Sequence, residues 1–557
     1  MPLVKARVGE SPEKKKPLLR SYAVPSGLVP ARRTLEVSVG LLVAGFALFL
    51  YLKTLAPTVL YYDRPTLLDS AMFQAQLTTL GVTHPTGYPT YTMLGHLFTY
   101  LPVGDPAYRI NLFSAIMGAL AVFVLYRLGL RLTGSILGAG LGALAFGVGD
   151  TYWSQAIIAE VYTLNALFIS SVLLLVFRWR DTRRDRYLLA ACFLMGLSMT
   201  HHLTSGLLLP GAAIFVFAVD KKKFVQWRLV LKGAGLFLLG LLPYLYLPIR
   251  ASMNPPMNEA DPTTPARFWE LVNGGNLTGV FGTFGPDLIP LRLSFFGGYM
   301  GDEFHVTLLS LAMFGAIIAV LKDRAAAAIL GFLFLGWLGY AIEYEIFDFF
   351  LYFIPPYLVL ALFMAFGLAA ILDGVRKLAV GSPPVLQAAV VVLIFSPLLY
   401  FALSDLPSDY RKVDRSNDFT GREIIEDVAG HALPNSTILH HRSTLWYMVL
   451  VEKRRRDLTL LSPWYPSWRR YTDLVWPDAI DRATTNLRWA TNDFTGVGAA
   501  EEAAERNRPV YILDQPSAGP QNFYDAGWQT IKVEGSLFEL VPPGRKPFTP
   551  IEEQRDG

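Results

Sequence analysis

Two side chains suited to acid–base chemistry lie in a polar stretch between long apolar segments, at positions 57–108. Asp69 stands among leucine, methionine and phenylalanine residues, and a carboxylate desolvated in this way can act as general base for a substrate hydroxyl. His84 precedes the turn-forming sequence P-T-G-Y-P. The alternative for Asp69 is structural, a helix N-cap that accepts hydrogen bonds from free backbone amides.

A further carboxylate, Glu160, lies about one turn inside the outer end of the fourth apolar segment. A carboxylate at membrane depth is costly and calls for a partner or a wet cavity, the alternative being an interhelical hydrogen bond. More polar side chains stand at the outer end of the ninth segment: Tyr340, Glu343, Glu345 and Asp348. They can bind a cation or sugar hydroxyls, or they can form a solvated edge.

Basic side chains on the predicted outer face are few, and they include Arg109, Arg250, His201 and His202. An anionic head group at this face would need such donors, and the planar fork of arginine suits phosphate. For the two arginines the alternative is snorkelling toward lipid head groups. No histidine pair has a convincing metal-ligand spacing, so no metal site is predicted, and a divalent cation is left open as the one cofactor.

Composition places the chain among membrane proteins. Its 557 residues are 52% hydrophobic and only 17% charged, against about 25% charged in a soluble protein. The apolar excess is concentrated in long blocks, which is typical of a multi-span protein. The expected partners are therefore membrane lipids and not nucleic acid. The single cysteine, Cys192, excludes a disulfide within the chain.

About eleven segments approach the ~20 residues needed to cross the hydrocarbon, and they predict a mainly α polytopic membrane protein. They lie at roughly 35–56, 109–130, 133–149, 155–177, 187–200, 203–219, 229–249, 304–321, 325–342, 349–372 and 385–404. Residues 1–34 are predicted to be a basic cytoplasmic tail, and residues 35–404 the transmembrane domain. The first segment is too long for a cleaved signal peptide and predicts a retained span.

Basic clusters follow every second segment, as the positive-inside rule requires. This alternation predicts a cytoplasmic N-terminus and an external C-terminus. The connections 57–108 and 250–303 would then lie outside the cytoplasm, together with residues 405–557. The last region alternates helical and strand patterns and predicts an extracytoplasmic α/β domain, with a helix at 420–430 and a hairpin at 529–541.

Several stretches resemble one membrane family in the expected order: L-D-S-A-M-F-Q-A-Q-L-T-T-L-G-V-T-H-P-T-G-Y-P, A-Y-R-I-N-L-F-S-A, W-S-Q-A-I-I-A-E-V-Y-T-L-N and G-L-S-M-T-H-H-L-T. This family includes the animal transmembrane O-mannosyltransferases and belongs to the GT-C superfamily. The resemblance is strong over about 57–210 and implies a GT-C-like fold. It also implies transfer of a sugar from a polyprenyl-phosphate carrier at the outer face, with an acidic base in the first external loop.

The resemblance carries over to Asp69, His84, Arg109 and Glu160. One departure is that the family's acidic position is Met72 here, after Ala71 in place of its glycine. If that missing glutamate is the family's base, this protein is altered or inactive. If Asp69 is the base, nothing essential is lost.

These observations predict an inverting glycosyltransferase, with mannose as the sugar that the resemblance implies and a protein or glycan as acceptor. Asp69 would be the base or would orient the acceptor, while Arg109, Arg250, His201 and His202 would hold the lipid phosphate. Glu160 and His84 would shape the site. The rival functions are a non-catalytic transporter or lipid-carrier-binding protein and a membrane-anchored scaffold. The expected location is the cell membrane, or the endoplasmic reticulum membrane in a eukaryote.

Overall fold

The computed structural model describes residues 29–61, 69–258, 261–274, 282, 284–346, 348–440, 444–461, 497–505, 507–513 and 521–549. Most of the predicted basic tail 1–34 lies outside these residues, as does the stretch 62–68 that precedes Asp69. The described chain is helical up to position 431, and a small sheet follows. The domain boundaries predicted from the sequence stay predictions.

Nineteen α-helices precede the sheet in the described chain. They are α1 Val29–Thr54, α2 Ser70–Thr79, α3 Pro89–Phe98, α4 Pro106–Thr133, α5 Ile136–Val148, α6 Asp150–Ala156, α7 Tyr162–Thr182, α8 Asp185–Met199, α9 Leu208–Asp220, α10 Trp227–Gly240, α11 Tyr246–Ser252, α12 Pro265–Val272, α13 Ile289–Glu303, α14 Val306–Lys322, α15 Arg324–Ile342, α16 Ile354–Leu378, α17 Pro384–Leu403, α18 Leu406–Val413 and α19 Thr420–His431.

The predicted polytopic helical architecture is confirmed. Among the described residues, eight helical segments are long and apolar enough to cross a membrane, and the bent pair α13–α14 makes up to nine. A helix stands at each of the eleven predicted positions, but α5 has 13 residues and α8 has 15. Both are shorter than the ~20 residues of a full span, which is why the count by length is lower than eleven.

Glycines let several helices approach closely. On α14, Gly315 faces the backbone carbonyl of Phe363 on α16 so closely that an added Cβ would overlap it, and Gly367 faces Leu311 in the same way from the other helix. Lipid tails are as apolar as leucine, so helices in a bilayer associate through close van der Waals packing, for which small residues are needed. This contact therefore depends on both glycines.

The polar stretch after α1 is held to the helical bundle by amide side chains. Gln74 on α2 accepts a hydrogen bond from the Leu60 amide at 3.1 Å and donates one to Asn111 of α4 at 2.8 Å. Asn111 in turn donates to the carbonyl of Ala56 at 3.1 Å. All of these polar groups are buried, where an unpaired amide would be costly, so α2 is firmly placed against α4.

A five-stranded sheet forms the C-terminal part, with strands β1 Thr437–Leu439, β2 Thr459–Leu461, β3 Val510–Leu513, β4 Gln529–Glu534 and β5 Leu537–Val541 in the order β2-β1-β3-β5-β4. The first three are parallel and the last two add an antiparallel hairpin. Helices α20 Val497–Glu505 and α21 Gln521–Asp525 accompany the sheet. The predicted strands, hairpin and helix at 420–430 are present.

The C-terminal part packs directly on the loop that carries Asp69. Arg422 of α19 lies 3.4 Å from the carboxylate of Asp105, which caps the N-terminus of α4, and it also forms an ion pair with Glu452. The Tyr447 hydroxyl accepts a hydrogen bond from the Ala107 amide at 3.2 Å. The C-terminal part therefore braces the start of α4, to which α2 is attached.

Candidate functional site

Asp69 and His84 form a pair at the start of α2. Asp69 occupies the N-cap position, but its side chain makes no capping hydrogen bond. Its Oδ2 instead lies 3.4 Å from His84 Nε2, and its side chain keeps 20% of its accessible surface. Asp69 therefore stands at the N-cap position, as the structural alternative predicted. Its side chain does not cap the helix and faces the histidine instead.

Both ring nitrogens of the His84 imidazole have a polar neighbour, Asp69 at Nε2 and Thr83 at Nδ1. Its Nδ1 lies 2.9 Å from the Thr83 hydroxyl, and its ring packs between Phe73 and Tyr88 at centroid distances of 5.8 Å and 5.3 Å. A carboxylate oxygen accepts hydrogen bonds, so we assign a proton to His84 Nε2, which faces Asp69, and the Thr83 hydroxyl can then donate to Nδ1. His84 thereby orients the carboxylate.

Aromatic and phenolic side chains continue from His84 across the ends of several helices. Tyr88 lies 6.3 Å from His202, His202 lies 5.8 Å from Tyr352, and Tyr352 lies 5.2 Å from Tyr344, as ring centroid distances. These rings belong to connections that precede or follow α3, α9, α15 and α16. With Tyr162 at the start of α7 they form one cluster of rings, which we call the tyrosine recess: Tyr88, Tyr162, His202, Tyr344 and Tyr352.

Three carboxylates lie around the tyrosine recess. Burial raises the pKa of the Tyr88 hydroxyl well above its usual range, and the negative charges of Asp69 and Glu160 add to this effect. Burial also raises the pKa of Tyr344, with further contributions from Asp348 and Asp69. Both phenols are therefore neutral and can donate hydrogen bonds. Hydroxyl donors beside carboxylate acceptors suit a sugar, whose hydroxyls need both.

Within the described residues, no group of three or more His, Cys, Asp or Glu side chains is arranged to hold a metal ion. The carboxylates of Asp69, Glu160 and Asp348 border the recess from separate elements. The involvement of a divalent cation stays an open prediction.

Glu160 does not lie inside a helix. The segment predicted at 155–177 is broken, because α6 ends at Ala156 and α7 begins at Tyr162. Glu160 falls in the connection between them and is 5% exposed, with Oε2 3.3 Å from the Val161 amide. The positive end of the α7 dipole stabilises a carboxylate at this point, which explains how the chain tolerates it.

The two neighbouring histidines are neutral and not cationic. Burial lowers the pKa of His201 to about 3 and that of His202 to about 4. His201 Nε2 lies 2.8 Å from the Val161 carbonyl, and His202 Nδ1 lies 2.7 Å from the Thr204 hydroxyl. His202 borders the recess and can hydrogen-bond a ligand there, but neither ring supplies the positive charge that the sequence analysis expected for a phosphate.

The two predicted arginines lie elsewhere. Arg250 donates to the carbonyls of Thr79 and Leu80, at the C-terminal end of α2. Asp69 is at the other end of this ten-residue helix, about 15 Å away at 1.5 Å per residue. Arg109 donates to carbonyls that follow α3, at Thr99, Val103 and Gly104. Both guanidinium groups cap backbone carbonyls and stand apart from the Asp69–His84 pair.

Met72, the departure from the family pattern, is fully buried one turn below Asp69. Its sulfur lies 3.4 Å from the Thr83 hydroxyl, beneath His84. A carboxylate at this position would be buried where α2 packs against its neighbours. Of the two positions, only that of Asp69 retains solvent access beside the recess.

Most of the recess could not be predicted from the sequence. Tyr88, Tyr162 and the connection that holds both Tyr344 and Tyr352 come from distant parts of the chain, and nothing in their spacing joins them. Tyr340 and Asp348 were grouped as an outer rim, and both border the recess, Tyr340 through a 5.6 Å ring contact with Tyr352. A recurrent tyrosine at the outer ends of apolar segments was the one available signal.

A pH dependence of stability follows from His201 and His202. Unfolded histidine titrates near pH ~6.5, so as the pH falls the unfolded state binds protons before the native state does. We expect the thermal unfolding midpoint in detergent to be highest above pH ~6.5 and to fall steadily toward pH 4.

The variant His201→Phe cannot titrate and should flatten this pH dependence, although it loses one hydrogen bond and should unfold earlier at pH 7. His431→Gln changes an exposed histidine and serves as the matched control. An unchanged pH slope in His201→Phe would contradict the assignment.

Comparison with known proteins confirms the predicted resemblance. Residues 69–225 match the model of the Protein O-mannosyl-transferase TMEM260 N-terminal domain, a region that contains Asp69, His84, Glu160 and His202. The chain is 36% identical over 181 residues to the Protein O-mannosyl-transferase TMEM260 of Mus musculus, covering 31% of this chain and 26% of the relative. It is 22% identical over 522 residues to the tmem260 protein of Dictyostelium discoideum, covering 83% of this chain and 62% of that relative.

The fold is that of GT-C enzymes. The apo structure of ArnT from Cupriavidus metallidurans superposes with a TM-score of 0.58 at 13% identity, covering 92% of this chain and 98% of ArnT. The structure of the same protein bound to undecaprenyl phosphate gives a TM-score of 0.53 over the same shares. The chain spans only 26% and 62% of the lengths of these two curated relatives.

Proposed function

We propose that this chain is a membrane glycosyltransferase that moves mannose from a polyprenyl-phosphate carrier to a hydroxyl group of a protein at the extracytoplasmic face. The observation that carries the proposal is the Asp69–His84 pair, which opens on a recess lined by tyrosines and carboxylates. Its relatives in mouse and Dictyostelium are named as protein O-mannosyl-transferases. ArnT, with the same fold, has been crystallised with undecaprenyl phosphate.

In the proposed reaction, Asp69 accepts the proton of the acceptor hydroxyl. The hydroxyl oxygen forms a bond to the anomeric carbon of the sugar, and the bond from that carbon to the phosphate oxygen breaks. The polyprenyl phosphate leaves with the electron pair. Attack and departure on opposite faces of the anomeric carbon invert its configuration. No nucleotide is needed, because the sugar–phosphate bond is already activated.

His84 is a positioning residue in this mechanism. Its Nε2–H, 3.4 Å from Asp69 in the structure, directs one carboxylate oxygen and leaves the other for the acceptor. Phe73 and Tyr88 hold the imidazole plane, so the carboxylate is fixed before substrate binds. Such preorganisation avoids the cost of ordering the base during the reaction.

The tyrosine recess would hold the sugar. Tyr88, Tyr344 and Tyr352 present neutral hydroxyls and ring faces, while Glu160 and Asp348 supply acceptors. The aromatic walls exclude water, which strengthens each remaining polar contact. Exclusion of water also protects the activated sugar from hydrolysis.

The test uses the purified full chain in liposomes with polyprenyl-phosphate [³H]mannose and a serine- and threonine-rich peptide. We expect release of polyprenyl phosphate together with labelled peptide. The anomeric configuration of the mannose on the peptide should be the inverse of that in the donor. Tight binding of the carrier without any release would favour the non-catalytic carrier-binding alternative. Release of free mannose alone would contradict transfer to a protein.

A further inference from the structure

A buried arginine that the sequence analysis did not single out borders the tyrosine recess. Arg292 Nη2 donates to the Tyr344 carbonyl at 2.8 Å, and the Tyr344 ring packs against Tyr352 in the recess wall. Arg292 Nε also donates to the Ile342 carbonyl at 3.0 Å. The guanidinium is therefore fixed at the end of α15, where the recess is formed.

Two aromatic rings enclose the guanidinium. Its central carbon lies 3.9 Å from the centroid of Phe349 and 4.5 Å from that of Phe284. The residue as a whole is only 9% exposed. Rings this close cover part of the guanidinium, and its N–H groups remain the means by which it can bind phosphate oxygens, which meet arginine along the edge of its plane.

One nitrogen of the Arg292 guanidinium has no hydrogen-bond partner among the described groups. Nη1 makes no hydrogen bond to any described group and is not among the atoms sealed from solvent. No described carboxylate lies within 4.0 Å of Arg292, although Glu343 and Glu345 follow α15 nearby and act on its charge. A cation this deeply buried is costly without a close anion, so the site suits an anionic ligand.

Arg180 and Arg415 show the contrast. Both are partly buried, and each has a carboxylate partner: Arg180 pairs with Asp323, and Arg415 lies 3.2 Å from Asp418. The chain therefore compensates such charges where a partner is part of the fold. At Arg292 the described chain supplies only backbone carbonyls and rings.

The helix that carries Arg292 also has an exposed apolar side. At the break before α14 the helix direction changes by 111°, so α13 does not continue along the axis of α14. Arg292, Phe296 and Glu303 form its buried face. Leu291, 50% exposed, and Leu293, 43% exposed, belong to its outer face. An apolar outer face beside an inward cation fits a ligand with a long apolar chain and an anionic head.

We infer that Arg292 holds the phosphate of a polyprenyl monophosphate, with the apolar chain passing along the outer face of α13. This inference rests on the proposed function and deepens it. As the sugar–phosphate bond breaks, negative charge grows on the leaving phosphate, and the fixed guanidinium stabilises it. Arg292 thus takes the role that the sequence analysis assigned to Arg109 and Arg250.

The test measures binding of undecaprenyl phosphate to the full chain in phosphatidylcholine nanodiscs. Arg292→Gln should weaken binding by about 10–100-fold, the usual value of a charged hydrogen bond, while binding of uncharged undecaprenol stays the same. Arg292→Lys should be intermediate, because lysine keeps the charge without the planar fork. Arg267→Gln, in the same external connection, removes a partly exposed arginine paired with Asp261 and serves as the charge control.

Competition identifies the source of the phosphate. Neither inorganic phosphate nor phosphatidylglycerol should displace undecaprenyl phosphate at equal concentration. Displacement by either one would overturn the assignment to a polyprenyl carrier. A photoreactive undecaprenyl phosphate should label residues 289–303 of the unmutated protein, which keeps the test independent of whether the Arg292 variants fold.

The outcomes separate this inference from the proposed function. Unchanged undecaprenyl phosphate binding in Arg292→Gln, in a protein whose wild type transfers mannose, would overturn the role of Arg292 alone. A wild type that neither binds undecaprenyl phosphate nor transfers mannose would overturn the proposed function, and this inference with it.

Discussion

Asp69→Asn is expected to lower mannose transfer by about 10²–10⁴-fold, the usual contribution of a general base. The amide has the same shape as the carboxylate but cannot take the acceptor proton. Because Asp69 makes no capping hydrogen bond to α2, the substitution should leave the fold unchanged. Initial rates of polyprenyl phosphate release, together with the thermal unfolding midpoint, give the measurement.

The control for this experiment is Asp287→Asn, which removes an exposed carboxylate from the connection at 250–303. It should transfer mannose at the wild-type rate. Full turnover by a folded Asp69→Asn protein would refute the base assignment. It would also reopen the question posed by Met72, since the chain would then work without either carboxylate of the family's loop.

Gly315→Leu is expected to prevent the protein from folding. The side chain would point into the backbone carbonyl of Phe363, and a backbone atom cannot move aside as a side chain can. The cost should therefore exceed the ~1–3 kcal/mol of ordinary overpacking. Size-exclusion chromatography in detergent should show loss of the monodisperse peak.

Gly331→Leu provides the matched control on α15, because an added Cβ there meets nothing within 4 Å. This variant should be purified in wild-type yield. A monodisperse and thermally stable Gly315→Leu protein would show that α14 and α16 do not pack as closely as described.

Helix positions were predictable because hydrocarbon thickness sets a minimum length of apolar chain. A helix stands at each of the eleven apolar blocks, since a backbone in lipid must satisfy its hydrogen bonds within each segment. Local patterns were equally informative at the hairpin of β4 and β5, which was predicted from Glu534-Gly535, and in the structure the turn is at Gly535 and Ser536. These predictions needed only neighbours in the chain.

Glu160 shows where local patterns fail. The apolar block around it reads as one continuous helix, but the chain breaks between Ala156 and Tyr162. In the fold, Ser114 of α4 bonds the backbone amide of Glu160 at 3.3 Å and so supports a non-helical segment. A break of this kind depends on a partner that is distant in sequence.

By itself the sequence determined a helical membrane protein with a polar loop that carries Asp69 and His84, because apolar length and motif spacing are properties of the chain alone. Only the tertiary structure decided that these two side chains face each other, that tyrosines from three separate parts of the chain converge beside them, and that Arg292 rather than Arg109 or Arg250 lies at that recess. The reason is that pairing and desolvation depend on which helix ends meet. Their meeting is set by close packing between segments far apart in the sequence.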